Sequence, residues 1–392
     1  MKKKFAAGTA IGALCAAIAP APALAQSSVT LYGVVDEAIA FVNNQNGHSN
    51  TYFRQGNLYS SRVGLRGSEQ LSSTLSVIFD LQEGFDPSTG KQSSPGLAFN
   101  RQSFVGLQDT RLGTVTLGRQ YTPYYQLVGA LGPVGFLTGA TGAHPGDIDG
   151  LDTTIRANSS VVYTSPSLYG FKVSGQYGFG GVPGSMQSGS TISAALRYDG
   201  GPVSVAAGYL RMNNIGGAAK LDPDASAAYG SSAVNQGYVS ARAVQHIAAA
   251  ADYTLGKIVF GVNYSNVQYL PGSHSLFTDT AIFNTYGAFA RYSFNTAFDV
   301  AGAYSYTHAS EGNGIDDSAR YHQISLKEDY HLSKRTTLYA LQAWQHAGGR
   351  TLGAAGAGDI IDAAPVVGDS QNATPSTTSS QFVAMFGLAV AF

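Results

Sequence analysis

The stretch Ile258-Val259-Phe260-Gly261-Val262-Asn263-Tyr264-Ser265 fixes the kind of secondary structure, because its large side chains fall on every second position. Ile258, Phe260, Val262 and Tyr264 share one parity, and Gly261, Asn263 and Ser265 share the other. Period two is the mark of a β-strand with unlike faces. Leu75, Val77, Phe79 and Leu81 alternate in the same way with Thr74, Ser76, Asp80 and Gln82, broken only by Ile78. Phe171, Val173 and Tyr177 alternate with Lys172, Ser174 and Gln176. One face is aliphatic and aromatic and suits lipid; the other carries amide and charge and suits water. Soluble antiparallel sheets also alternate, so one strand alone does not choose between them.

The connections choose. Short turns fall at 68–73, 109–113, 165–170, 199–202, 255–257, 293–297 and 332–335. Longer polar or glycine-rich stretches fall between them, near 43–57, 86–98, 122–155, 180–190, 213–240, 270–280, 309–318 and 348–379. Fifteen connections that alternate in length predict sixteen strands, with both chain ends on the short-turn side. Transmembrane barrels have an even strand count, short turns at one rim and long loops at the other. The final segment, Gln381 to Phe392, keeps Phe382, Phe386, Leu388, Val390 and Phe392 on one parity. In hydrocarbon every backbone polar group must be paired, so a strong last strand is expected to close on the first, with Phe392 serving assembly. The expected fold is all-β, a 16-stranded antiparallel transmembrane barrel in one domain, residues 26–392.

Composition excludes the alternatives. Charged residues make up 12% of the 392 residues, about half the ~25% usual in soluble domains. With 48 glycines, 23 tyrosines and 19 phenylalanines, the chain does not fit disorder, which goes with high charge and few aromatics. No apolar run after residue 25 reaches the ~20 residues of a membrane helix. A formal charge of −1 without a basic run beyond the N-terminus argues against nucleic acid. Residues 1–25 read as a signal peptide: Lys2, Lys3 and Lys4, an apolar stretch, then Ala23-Leu24-Ala25. Its removal takes away the single cysteine, Cys15, and leaves 20 basic against 24 acidic residues, a charge of −4. The product is expected to be exported. The eight histidines show no metal-ligand spacing, and no cofactor or catalytic motif stands out.

Four blocks carry a family resemblance. Ser28-Val29-Thr30-Leu31-Tyr32-Gly33 with Asp36, and Ser61-Arg62-Val63-Gly64-Leu65-Arg66-Gly67-Ser68-Glu69, resemble the first two strands of the trimeric Gram-negative general porins of the Neisseria and Burkholderia type. Arg101-Gln102-Ser103-Phe104-Val105-Gly106-Leu107, with Gly113 through Tyr121, is similar to the family's fourth and fifth strands. Arg156-Ala157-Asn158-Ser159, leading to Tyr163-Thr164-Ser165-Pro166, resembles the segment after its third long loop. The resemblance implies an outer-membrane homotrimer that passes small hydrophilic solutes and ions, with outer-membrane lipid, lipopolysaccharide and the barrel-assembly machinery as partners. It also implies a third loop folded into the lumen opposite wall arginines, which Arg62, Arg101 and Arg156 match. The family's loop often carries a Pro-Glu-Phe-Gly turn; here Pro133-Val134-Gly135 lacks the acid, and Val34 stands where some relatives have lysine.

Parity places Arg62 and Arg66 together, opposite Val63 and Leu65. An arginine facing lipid costs roughly 2–4 kcal/mol at the midplane, so both are expected in the lumen, where charged rings set ion preference or hold the loop by salt bridges. Asp147, Asp149 and Asp152 are the carboxylates of the 122–155 loop. Asp147 and Asp149 are the expected acids at the constriction; the three together fall short of a calcium loop. Tyr32, Tyr163, Tyr169 and Tyr198 are expected in the interfacial girdles, and Ala248, Ala250 and Ala288 on the outward face as small residues for subunit contact. A passive pore is the first function class. A barrel that binds partners through loops such as 348–379, or a barrel enzyme such as a lipase, is the alternative.

Overall fold

A computed structural model describes residues 27–152, 155–216, 221, 232–368 and 374–392; the expected signal peptide, 1–25, lies outside the described residues. The strands are β1 (Ser27–Gln45), β2 in two segments (His48–Gln55 and Arg62–Gln70), β3 (Leu75–Gly84), β4 (Gln102–Asp109), β5 (Gly113–Tyr121), β6 (Arg156–Thr164), β7 (Phe171–Gly178) and β8 (Thr191–Gly200). They continue as β9 (Val203–Asn213), β10 (Ala243–Leu255), β11 (Ile258–Leu270), β12 (Ala281–Ser293), β13 (Phe298–Ala309), β14 (Arg320–His331), β15 (Thr336–Gly348) and β16 (Ser380–Ala391). Both segments of β2 lie along the same side of β1, so the sheet has sixteen antiparallel strands. β1 pairs on its other side with β16, from Val34↔Ala391 to Val42↔Val383, and the sheet has no free edge. Gly33 and Phe392 complete the seam with two reciprocal backbone hydrogen bonds of 3.1 and 3.0 Å. A Cβ on Gly33 would lie 2.5 Å from the Phe392 ring and from the Arg62 carbonyl, so glycine is what lets the ring seat there.

The alternation read in the sequence is the alternation of inside and outside. Along β11, Ile258, Phe260, Val262 and Tyr264 are exposed, whereas Val259, Asn263 and Ser265 are buried. Exposed Val105, Leu107, Val115, Leu117, Phe171, Val173, Phe386 and Leu388 continue the outward apolar surface. An apolar surface of this extent needs a nonaqueous neighbour. Among the described residues no helix is long and apolar enough to cross a membrane; the strands do so. The seven short turns fall where expected. Residues 349–368 fold over the long-loop rim, where Arg350–Leu352 pairs with Ile360–Asp362 and Leu352 and Val366 join a buried cluster with Tyr238, Tyr269 and Phe283.

Three expectations are corrected. Residues 43–57 are not a long loop: β1 and β2 run on as a hairpin closed at Asn46-Gly47, both with positive φ (50° and 95°), as a two-residue type I′ turn requires. Tyr32 faces inward, its hydroxyl donating to Asp80 at 2.6 Å, whereas Tyr163 and Tyr169 are exposed. Ala248 and Ala250 are buried on the inner face, because they share the parity of His246 and Asp252.

Candidate lumenal site

The inner wall is shaped first by a break in β2. Residues 56–61 leave the ladder, and buried Asp36 holds them: its Oδ2 accepts the N–H of Leu58 (2.6 Å) and Tyr59 (2.5 Å), and Tyr339 donates to its Oδ1. Ser61 Oγ accepts the Asp36 N–H at 3.0 Å. The break turns Asn57 and Tyr59 inward and precedes Arg62, whose Nη1 donates to the Ser60 carbonyl at 2.9 Å. Next along the wall, Arg101 Nε donates to Gln82 Oε1 at 3.0 Å, and its guanidinium lies 5.8 Å from the Tyr121 ring. Arg156 takes the same ring at 5.0 Å and donates from Nη2 to its hydroxyl at 3.3 Å. Burial pulls the Arg101 guanidinium down to about 10, which leaves it cationic at neutral pH.

Facing this wall is the segment between β5 and β6. It begins with α1 (Pro123–Val128), capped by Thr122, whose hydroxyl accepts the Tyr125 N–H at 3.2 Å. Two shorter helices follow, α2 (Pro133–Phe136) and α3 (Gly139–Gly142). Contacts run from α1 to β8, β9 and β10, from α2 to β12, and from α3 to β14 and β15. All reach the inner faces of those strands. Tyr124 N–H donates to Ser193 Oγ at 3.1 Å, Phe136 stacks on Phe289 with centroids 4.3 Å apart, and Gln323 Nε2 donates to the carbonyls of Thr141 (3.0 Å) and Ala143 (2.9 Å).

The tightest attachment centres on Asp149. Its Oδ2 lies 2.6 Å from His144 Nδ1 and accepts from Ser265 Oγ at 2.6 Å. Its carbonyl is 2.7 Å from His246 Nδ1, and Asn263 approaches the far nitrogen of His144 at 3.3 Å. Asp149, His144, His246 and Ser265 are all buried. Burial pushes the Asp149 carboxyl up, but His144 and the two hydrogen bonds outweigh it and hold the group below the usual carboxylate range. A serine, a histidine and an aspartate thus meet, but the serine and histidine both bond the same carboxylate oxygen. His144 addresses the carboxylate and not the serine oxygen, so this is not the Ser–His–Asp relay of an activated nucleophile.

Between wall and segment lies a cavity of about 560 Å³. Arg62, Arg101, Lys327 and Tyr59 line it from the wall, and Tyr125, Val134 and Asp152 from the segment. Of the residues expected from sequence, Arg62 and Arg101 meet here, and Val134 stands where the family's loop acid would. Arg156 is buried behind Tyr121 and does not line the cavity. Asp147 and Asp149 are buried in the segment and do not line it either; Asp147 Oδ1 accepts the Asp152 N–H at 3.1 Å. The carboxylate at the cavity is Asp152. Lys327 and Tyr59 escaped the sequence reading. Lys327 sits in the run Lys327-Glu328-Asp329, where consecutive charges hide the parity, and its Nζ is 2.8 Å from Asp329 Oδ2.

A closed sixteen-strand barrel with a cavity lined by charged side chains inside it is the form of a diffusion channel, and the comparisons agree. The model of the Gram-negative porin family matches residues 9–348. An outer membrane porin protein of Bordetella pertussis is 29% identical over 373 residues, covering 87% of this chain and 93% of the relative. Outer membrane porin protein 32 of Delftia acidovorans is 34% identical over 227 residues, 54% of this chain and 62% of the relative. The solved anion-selective porin from Comamonas acidovorans superposes with a TM-score of 0.70 at 24% identity, covering 94% of this chain and all of that one. The chain belongs to the Gram-negative porin family and is an outer-membrane channel for passive diffusion of small hydrophilic solutes.

Proposed function

We propose that solutes pass through the cavity beside Arg62, Arg101 and Lys327, and that this passage favours anions although the chain without its first 25 residues carries a charge of −4. The supporting observation is the lining itself: three cationic side chains face one carboxylate, Asp152. Salt screens distant surface charge beyond ~10 Å at 0.1 M, so groups at the passage dominate. In this reading Arg156 positions Tyr121, which supports Arg101, and Asp147 and Asp149 hold the segment in place. The protein works without a cofactor and without catalysis, since diffusion down a gradient needs only shape and fixed charge. The sign agrees with the selectivity named for the Comamonas neighbour. Reversal potential across a planar bilayer in a KCl gradient tests it: the expected sign is anion preference, and a cation-selective potential for the wild type would overturn the proposal.

The channel is further proposed to be a homotrimer inserted by the barrel-assembly machinery, with lipopolysaccharide around it and Phe392 as the closing residue of assembly. One outward-parity carboxylate supports subunit contact near the seam: Glu328 on β14, which accepts from Gln342 on β15 at 3.2 Å. A carboxylate is disfavoured against lipid and better placed against another subunit. Crosslinking of the folded protein in mild detergent should give trimers; monomers alone in every mild detergent would refute it.

A further inference from the structure

At the short-turn end of the inner wall, Asp299 on β13 and Asp329 on β14 are direct register partners. Like charges opposite each other on a sheet repel, so the pair needs positive charge nearby. Lys327 reaches one Asp329 oxygen at 2.8 Å, and His331 Nε2 lies 2.9 Å from Asp299 Oδ2. The remaining Asp329 oxygen, Oδ1, is buried and has no hydrogen-bond partner, in a residue only 4% exposed. One ligand atom from each of Asp299, Asp329 and His331 lies within 4.8 Å of the others. On the far side of the ring, His331 Nδ1 is 3.0 Å from Thr337 Oγ1. A partner of that kind fixes a ligating histidine's orientation and here leaves Nε2 aimed at the carboxylates.

We propose that Asp299, Asp329 and His331 form a binding site for a divalent transition metal such as Zn²⁺ on the lumenal wall. The ion takes the place of the proton between His331 Nε2 and Asp299 and gives Asp329 Oδ1 the partner it lacks. Ligand distances of about 2.0–2.2 Å to nitrogen and carboxylate oxygen are reached by small side-chain rotations, and water completes the shell. The imidazole selects against Mg²⁺ and Ca²⁺, which favour all-oxygen sites. Ions reach the site from the aqueous side, where the His331 side chain is 34% exposed. The site is coupled to the passage through Lys327, which lines the cavity and shares Asp329 with the metal. A dication bound at Asp329 Oδ1 offsets the carboxylate charge that Lys327 now neutralises at Oδ2, so the wall beside the passage becomes more positive.

Chelator-treated, folded protein in detergent is titrated with ZnCl₂ by calorimetry, and bound Co²⁺ is followed by its visible absorption. Saturable binding of one ion per chain is expected. His331→Gln and Asp299→Asn should each weaken it by at least about tenfold, and Thr337→Val, which keeps all three ligands, by less. Binding that is absent in the wild type, or equal in His331→Gln and Asp299→Asn, overturns the site. Heat-modifiable electrophoretic mobility identifies any variant that has lost its fold; Thr337→Val then carries the test, and unchanged affinity in it counts against the site. In the bilayer, Zn²⁺ but not Mg²⁺ should move the reversal potential toward anions. Zn²⁺ that binds with no such shift refutes the link to Lys327, and this arm alone rests on the proposed pore selectivity.

Discussion

The cationic wall and the knot around Asp149 lie on opposite sides of the same segment, and both consist of charged groups inside the barrel. They differ in where their hydrogen-bonding capacity goes. Arg62 and Arg101 each make one hydrogen bond to the wall, to Ser60 and Gln82, and guanidinium offers five donors. They are held in place and still face the cavity. Asp149 meets His144, Ser265 and His246 within 2.7 Å and is sealed from it. A charge acts on solutes only where its partners leave it a face toward water. In the proposed reading, charges of similar depth divide into those that filter and those that fasten.

The largest effect is expected from breaking the fastening. Asp149→Ala leaves His144 and Ser265 buried without their shared acceptor, a loss of about 1–3 kcal/mol for each buried group left unsatisfied. Single-channel conductance should rise and become noisy, and residues 122–152 should exchange amide hydrogens faster. Acid should do the same in milder form. The Asp149 carboxyl titrates below its usual value in the folded protein, so its stabilisation is present above the unfolded value of about 3.9 and is lost as pH falls through the lower folded value. Conductance noise should stay flat from neutral pH down to about 4 and grow only below it.

Smaller effects belong to the wall. Lys327→Ala removes one charge; across about 5 Å of water-filled passage that is worth about 0.8 kcal/mol, a roughly fourfold shift in permeability ratio toward cations. Arg156→Ala should change the ratio by less, because Arg156 touches Tyr121 and not the cavity. An Arg156→Ala shift as large as that of Lys327→Ala would place Arg156 among the filtering groups.

Strands and short turns were legible because two solvents, lipid and water, impose a period of two on every span. The wall arginines were legible for the same reason: Arg62 shares the parity of Arg66 and opposes Leu65. The Asn46-Gly47 turn was missed, because the polar residues around it disguised a tight hairpin as a long loop. The break at 56–61 had no periodic signature, since Asp36, far along the chain, holds it. Nor did the segment after Tyr121: helices of four to six residues are too short to show a 3.6-residue repeat. Which of Asp147, Asp149 and Asp152 would face the cavity could not be read from their spacing. Asp299, Asp329 and His331 meet by strand register, and no local motif joins them.

The division between filtering and fastening charges is tested most directly by reversal potentials in a KCl gradient for three variants beside the wild type. Arg62→Ala with Arg101→Ala should shift selectivity toward cations. Asp152→Asn should shift it toward anions, and Asp147→Asn, buried away from the cavity, should leave it within a small fraction of either change. An inert arginine pair, or an Asp147→Asn shift equal to that of Asp152→Asn, would contradict the account.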